Sequence, residues 1–204
     1  MSLTTSTMTK SLIRIKYNMY KQIKELLEKS GIELSEGLKE SEIDKIEQIY
    51  EFKFPKSLRD FLSYTLPISV EFYNWRDFSD ENIKEIKQAM NYVFEYLKND
   101  PIDEIFPNEN YWNTQKWGPM PEDGSRKRAV VLEAAKIAPK IIPVYSHRYM
   151  PCLKLPDPPV LSIHYTDVIY YGKNLYDYFL REFGKNPLEP VRKCPYVPFW
   201  SDLY

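Results

Sequence analysis

Ile141-Ile142-Pro143-Val144-Tyr145, Pro151-Cys152-Leu153-Lys154-Leu155, Val160-Leu161-Ser162-Ile163-His164-Tyr165 and Val168-Ile169-Tyr170-Tyr171 are four short apolar runs split by proline or aspartate, three of them rich in β-branched and aromatic residues. Each run reads as a strand. Gly172 supplies a turn after the last of them, and Leu175–Phe183 then reads as a helix stopped by Gly184. Upstream of Pro139 the chain reads mainly as helices, with one strand and one long loop. Helices first, then a strand cluster with a closing helix, predicts an α+β fold: a curved, mostly antiparallel β-sheet flanked by α-helices.

Working back from the strands, Pro121 to Ala138 reads as a helix carrying Val130, Leu132, Ala134, Ala135 and Ile137. Residues 99–120 read as a long loop holding Trp112 and Trp117, a length that is uncommon unless packed or functional. Ser79-Asp80-Glu81 caps a long helix to about Lys98, with Ile83, Ile86, Met90, Val93, Phe94 and Leu97 inward. Val70 to Trp75 reads as a strand. Pro55 suits the first turn of a helix that carries Leu58, Phe61 and Leu62 and ends at Pro67. Before it, Ser41 and Asp44 open a helix in the manner of a capping box, with Ile43, Ile46, Ile49 and Tyr50 as its apolar stripe. The first helix spans Ser11 to Lys29 on Leu12, Ile15, Met19, Ile23, Leu26 and Leu27, and Gly31 closes it. The expected organisation is a helical extension over 1–35, a domain over 36–184, and a proline- and aromatic-rich tail over 185–204 lying on the body.

Composition narrows the function. The chain has 204 residues and 43% apolar content, enough for a core, without a run of the length that spans a bilayer. Met1 to Lys10 lacks the pattern of a signal peptide, and two cysteines, Cys152 and Cys194, make a poor disulfide framework, so a reducing cytoplasm is expected. With only 6 glycines and no phosphate-cradling motif, the usual nucleotide-binding enzymes are disfavoured. A net charge of −1 hides an uneven distribution. Residues 31–110 carry eighteen acidic and nine basic groups, whereas 1–30 and 111–204 are each net basic. An acidic block repels nucleic acid and speeds encounter with a basic partner, although a solvated helix face has the same composition.

Residues for chemistry are few. His147, Cys152, His164 and Asp167 can be drawn as a metal set, but their spacing matches none of the usual zinc patterns, so neither metal nor cofactor is expected. Ser146 and His147 are adjacent, which does not make a catalytic dyad, and no residue is assigned a catalytic role. Arg126-Lys127-Arg128 is the one basic triplet, read as a solvated helical turn. Two clusters remain, Phe72 to Asp77 and Val144 to Pro151, each mixing aromatics with a charged donor. Tyr, Trp and Arg dominate binding hot spots, but they also fill cores.

Several stretches together resemble the SUKH superfamily. The entry is the acidic helix Glu42-Ile43-Asp44-Lys45-Ile46-Glu47 followed by Phe54-Pro55-Lys56-Ser57-Leu58-Arg59-Asp60-Phe61-Leu62. Further landmarks of the long bacterial branch are Asn74-Trp75-Arg76, Trp117-Gly118, Ala138 to Val144, His147-Arg148-Tyr149, and Pro159 to Gly172 with Asn174 to Tyr178 behind it. The similarity spans roughly 36–184 and departs at Leu66-Pro67, where relatives usually carry glycine. It implies a curved antiparallel sheet flanked by helices, no enzyme activity, and a role as a protein-interaction scaffold or as an immunity protein that blocks a toxin, often a nuclease. On that expectation Glu36, Glu40, Glu47, Glu51, Trp75 and Arg76 are the partner-binding candidates. The alternative is a pocket for a small anion built from Trp75, Arg76, His147, Arg148, Tyr149 and Asp167, with the arginines as forked donors. If Arg148 belongs to a pocket its removal spares the fold; if it is structural, removal strands a buried partner.

Overall fold

The computed structural model describes residues 17–185 and 189–203. In chain order these form α1 (17–29), β1 (Glu33–Glu36), α2 (Glu40–Tyr50), α3 (Lys56–Tyr64), β2 (Thr65–Ile68) and α4 (Asp80–Asn99). The short α5 (Ile102–Ile105), a 3-10 turn at Glu109–Tyr111 and α6 (Thr114–Trp117) then lead to α7 (Gly124–Ala135). Strands β3 (Ile141–Tyr145), β4 (Arg148–Pro151), β5 (Val160–His164) and β6 (Asp167–Gly172), α8 (Leu175–Phe183) and a 3-10 turn at Trp200–Asp202 complete the chain. The fold is α+β. Strands β3 to β6 make one antiparallel sheet in sequence order, and β1 pairs with β2 in a second, two-stranded one. No helix among the described residues is long and apolar enough to cross a membrane.

Both faces of the four-stranded sheet are covered. Ile142, Val144, Met150 and Val160 point into a core shared with Tyr20, Ile23 and Leu27 of α1 and with α2, α3 and α8. Ile141, Tyr149, Leu161, Ile163 and Val168 point the other way, into a core with α4, α5, Val131 of α7 and the C-terminal Val197, Phe199 and Trp200. The alternation along the strands is the period-two geometry of a pleated backbone. Because α1 enters the first core directly, residues 17–35 share the packing of the main body, and β1 runs across the expected boundary at 35/36. Leu12 and Ile15 lie outside the described residues. The tail is anchored by Trp200 Nε1, which donates to the Pro139 carbonyl at 3.0 Å.

The long helix, its Ser79 cap and α8 follow the sequence expectations closely. Other elements depart from them. Val70 to Trp75 is a turn-rich link, because β2 lies earlier and local side-chain bonds replace a ladder. Arg76 N–H donates to Asn74 Oδ1 at 3.2 Å, Ser79 N–H to Asp77 Oδ1 at 2.8 Å, and Asn82 Nδ2 to the Asn74 and Asp77 carbonyls. β4 starts at Arg148 rather than at Pro151, since Ser146-His147 turns the chain in two residues, and beyond Pro151 the Leu153 N–H folds back onto the Pro151 carbonyl at 2.9 Å. Lys39, not Ser41, is the cap of α2; the Glu42 carboxylate accepts from its N–H at 2.7 Å. The basic triplet is no solvated turn: Lys127 is buried with Nζ 2.6 Å from Asp103, and Arg128 donates to the Leu97 and Asp100 carbonyls at the end of α4.

Candidate functional site

β3 and β5 run in the same direction, so the β3–β4 turn at Ser146-His147 and the β5–β6 turn at Tyr165-Thr166 lie side by side at one end of the sheet. Against them pack the 69–74 link and one flank of α4, and the four segments enclose an open cleft of about 840 Å³. Its walls carry Phe72 and Tyr73 from the link, Asn82, Glu85, Gln88, Ala89 and Tyr92 from α4, and His147, Tyr149, His164 and Tyr165 from the hairpins.

Hydrogen bonds brace these walls. Ser146 N–H donates to the Glu71 carbonyl at 2.8 Å, and the Tyr73 hydroxyl donates to the Ser146 carbonyl at 2.9 Å. Across the cleft, the Tyr92 hydroxyl donates to the Ile163 carbonyl at 2.7 Å and accepts from Tyr165 N–H at 3.1 Å. Ser146 (φ 45°) and Tyr165 (φ 56°) both sit in the left-handed region, each as the first residue of its two-residue turn. Such a conformation costs a non-glycine residue about 1–3 kcal/mol and persists only where the surroundings over-determine it.

The electrostatics follow from the lining. Glu71 and Glu85 are the carboxylates in it, and no lysine or arginine joins them among the described residues. Burial raises the Tyr92 phenol to about 12 and that of Tyr149 further still, so the rings enter as neutral groups. His147 is held below the usual imidazole range by burial and then by Arg148 and His164, with Glu182 and Glu71 opposing. Among the described residues no three His, Cys, Asp or Glu side chains are placed to hold a metal ion. Ser146 Oγ lies 3.2 Å from His147 Nδ1. Burial raises the Cys152 thiol to about 12, the thiol form of a packed side chain rather than of a nucleophile.

Of the residues expected in a pocket, His147 and Tyr149 line the cleft, while Trp75, Arg76, Arg148 and Asp167 do not. Trp75 is 3% exposed and packs edge-to-face on Tyr50, Phe52 and Phe54 with centroids 5.4–6.1 Å away. Arg76 donates to Glu42 at 2.8 Å and to Ser35 Oγ and the Glu36 and Gly37 carbonyls at 3.0 Å, tying the link to the β1–α2 corner. Gly37 is required there, since a Cβ would come within 1.9 Å of the Ser63 carbonyl oxygen. Arg148 points to the opposite face of the sheet, donating to Glu182 and to Ser162 Oγ at 2.9 Å with its guanidinium 3.9 Å above the Tyr171 ring. Both forked donors expected for an anion are thus engaged internally. Asp167 is exposed at the start of β6, opposite His164 in the ladder.

The six partner-surface candidates also divide. Glu47 is buried, accepting from Phe54 N–H at 3.0 Å and from Lys53, and with Trp75 and Arg76 it works inside the fold. Glu36, Glu40 and Glu51 are exposed; Glu40 pairs with Arg59, and Glu51 lies 3.5 Å from Lys140. Sequence reasoning missed Glu71, Glu85, Tyr92 and Tyr165. One signal was available: Asn82, Glu85, Ala89 and Tyr92 form a second helical stripe beside the apolar one. No family model, no curated protein and no solved structure matches the chain.

Proposed function

We propose that the protein is a non-catalytic protein-binding module, of the immunity type that the SUKH resemblance implies, and that the cleft is its working surface against a basic partner such as a toxin domain. The observation that carries this reading is the pair of left-handed, non-glycine turn residues, Ser146 and Tyr165, at the rim of one acidic, aromatic-lined cleft. Strain at both hairpin tips is what a preorganised recognition surface needs, because rigid aromatic anchors lose little entropy on binding. Tyr165, 48% exposed, and the fully exposed Val70 supply apolar contact area at the rim. Exposed Glu36, Glu40 and Glu51 extend the negative field that steers a basic partner.

The test is affinity capture from the native cells with three tagged proteins: wild type, the cleft variant Tyr165→Ala, and the α2-side variant Glu36→Lys/Glu51→Lys. A stoichiometric basic protein held by wild type, lost with Tyr165→Ala and weakened by added salt supports the reading. Retention by Tyr165→Ala and loss only with the α2-side variant moves the interface to the acidic helix and refutes the cleft. Turnover of a substrate that vanishes in His147→Ala would refute the non-catalytic assignment.

A further inference from the structure

The rings of the cleft form a continuous chain. Tyr149 stands 6.2 Å from Tyr92, Tyr92 6.3 Å from Tyr165, Tyr165 4.8 Å from His164, and His164 6.3 Å from His147, centroid to centroid. An aromatic face attracts a cation through its quadrupole, and the attraction grows as the cation is desolvated. The formal charges in the same lining are the carboxylates of Glu71 and Glu85, with no lysine or arginine in that lining among the described residues.

The hydrogen-bond pattern has the same polarity. The Tyr73 and Tyr92 hydroxyl protons are committed to the carbonyls of Ser146 and Ile163, and the Tyr149 hydroxyl is bonded to that of Tyr73, so these phenols have no proton to give an anion. A group with many donors and no acceptor suits such a surface, and an anion does not. The guanidinium nearest in sequence, that of Arg148, is outside the lining and donates to Glu182 on the other face of the sheet.

We propose that the cleft takes the guanidinium or ammonium head of an arginine or lysine side chain presented by a docking segment of the protein partner. The inference rests on the binding-module reading and names the chemistry that the module recognises. The cleft, at about 840 Å³ and open on one side, admits a side chain together with the backbone that carries it. The head would lie among the rings of Tyr92, Tyr165 and His164, with Glu71 and Glu85 as counter-charges.

The chain has two histidines and both line the cleft, so their imidazole Hε1 resonances report directly on its occupancy. Titrating the full chain at pH 7.5 with N-acetyl-arginine-N-methylamide should shift both resonances saturably, with a Kd of about 1–10 mM for so small a probe. The lysine counterpart should do the same, and the neutral, nearly isosteric citrulline counterpart should bind about tenfold more weakly. A basic peptide carrying one arginine should bind more tightly than the isolated residue, as a docking segment requires. Glu85→Gln should weaken the arginine probe severalfold, while Glu109→Gln, an exposed charge outside the cleft, should leave it unchanged. Equal binding of citrulline and arginine probes overturns the proposal, and so does equal weakening by Glu85→Gln and Glu109→Gln. Free arginine amide binding as tightly as the peptide points to a small metabolite and overturns the partner's side chain as source. Silent histidines together with loss of partner capture in Tyr165→Ala would leave the binding-module reading standing and remove this inference. The reverse pattern would remove the reading and keep the cation site.

Discussion

Replacing Arg148 tests whether this residue holds the sheet to α8 or serves a ligand. Its side chain is 12% exposed and that of Glu182 18%, so the pair is largely withdrawn from water. Arg148→Ala removes a charge-assisted hydrogen bond to Glu182, a second bond to Ser162 Oγ and the guanidinium stacked on Tyr171. Charged hydrogen bonds contribute about 1.5–3 kcal/mol and the cation–π contact about 0.5–2 kcal/mol. Stranding one member of a buried pair costs about 3–5 kcal/mol, and the residual exposure of Glu182 places this case near 3 kcal/mol. For a chain of this size that lowers Tm by about 6–12 °C. Removing both charges with Arg148→Met/Glu182→Leu should cost about 1 kcal/mol or less, because no carboxylate is left without its partner. Urea unfolding of wild type, Arg148→Met, Glu182→Leu and the double variant at pH 7 closes the cycle and gives the coupling energy, expected at about 2 kcal/mol or more with the m-value unchanged. A loss below about 1 kcal/mol for Arg148→Ala, or additive single effects, would refute the structural assignment and return Arg148 to the list of ligand contacts.

Ser146→Gly relieves a left-handed backbone at φ 45° and should raise stability by about 0.5–1 kcal/mol in urea; a loss of that size would refute the strain at the hairpin tip. Trp75→Ala empties a fully packed site between three aromatic rings and should cost about 3–5 kcal/mol, read as a fall in the urea midpoint. At pH 8 a thiol at about 12 has a roughly thousandfold smaller thiolate fraction than a free cysteine, so a disulfide reagent should label Cys152 only after denaturation. His147 has its imidazole held down in the fold by burial, by Arg148 and by His164, against the opposing pull of Glu182 and Glu71. Its contribution to stability is therefore present above the unfolded value near 6.5 and is lost as pH falls through the lower folded value. Comparing stability at pH 7.5 and 5.5 should show a smaller drop for His147→Ala than for wild type, and equal drops would contradict the shift.

What could be read in advance was local. The long α4, its Ser79 cap, α8 with its Gly184 stop and three of the four sheet strands follow from periodicity, capping chemistry and β-branched runs, all properties of neighbours in the chain. β1 and β2 escaped because four-residue strands, one of them containing Pro67, carry too little pattern, and they exist only as each other's partners across α2 and α3. Val70 to Trp75 had the right composition for a strand, but Asn74 and Asp77 bind the nearby backbone and bend it instead.

The same division runs through the site. Tyr, Trp and Arg clusters were visible as residue types, and so was the acidic block, yet their orientation was not. Trp75 is buried and Arg76 and Arg148 are bonded to groups of their own chain, whereas Glu71, Glu85, Tyr92 and Tyr165, unremarkable in sequence, converge from a link, a helix and a hairpin. By itself the sequence determined the fold class, the capped helices and the strand-forming segments, because propensity and periodicity act within a few residues. Only the tertiary structure decided which face of the sheet Arg148 takes and which four segments meet at its end. A strand places successive side chains on opposite faces, so strand register and the packing of α4 and α8 on those faces determine what each residue touches.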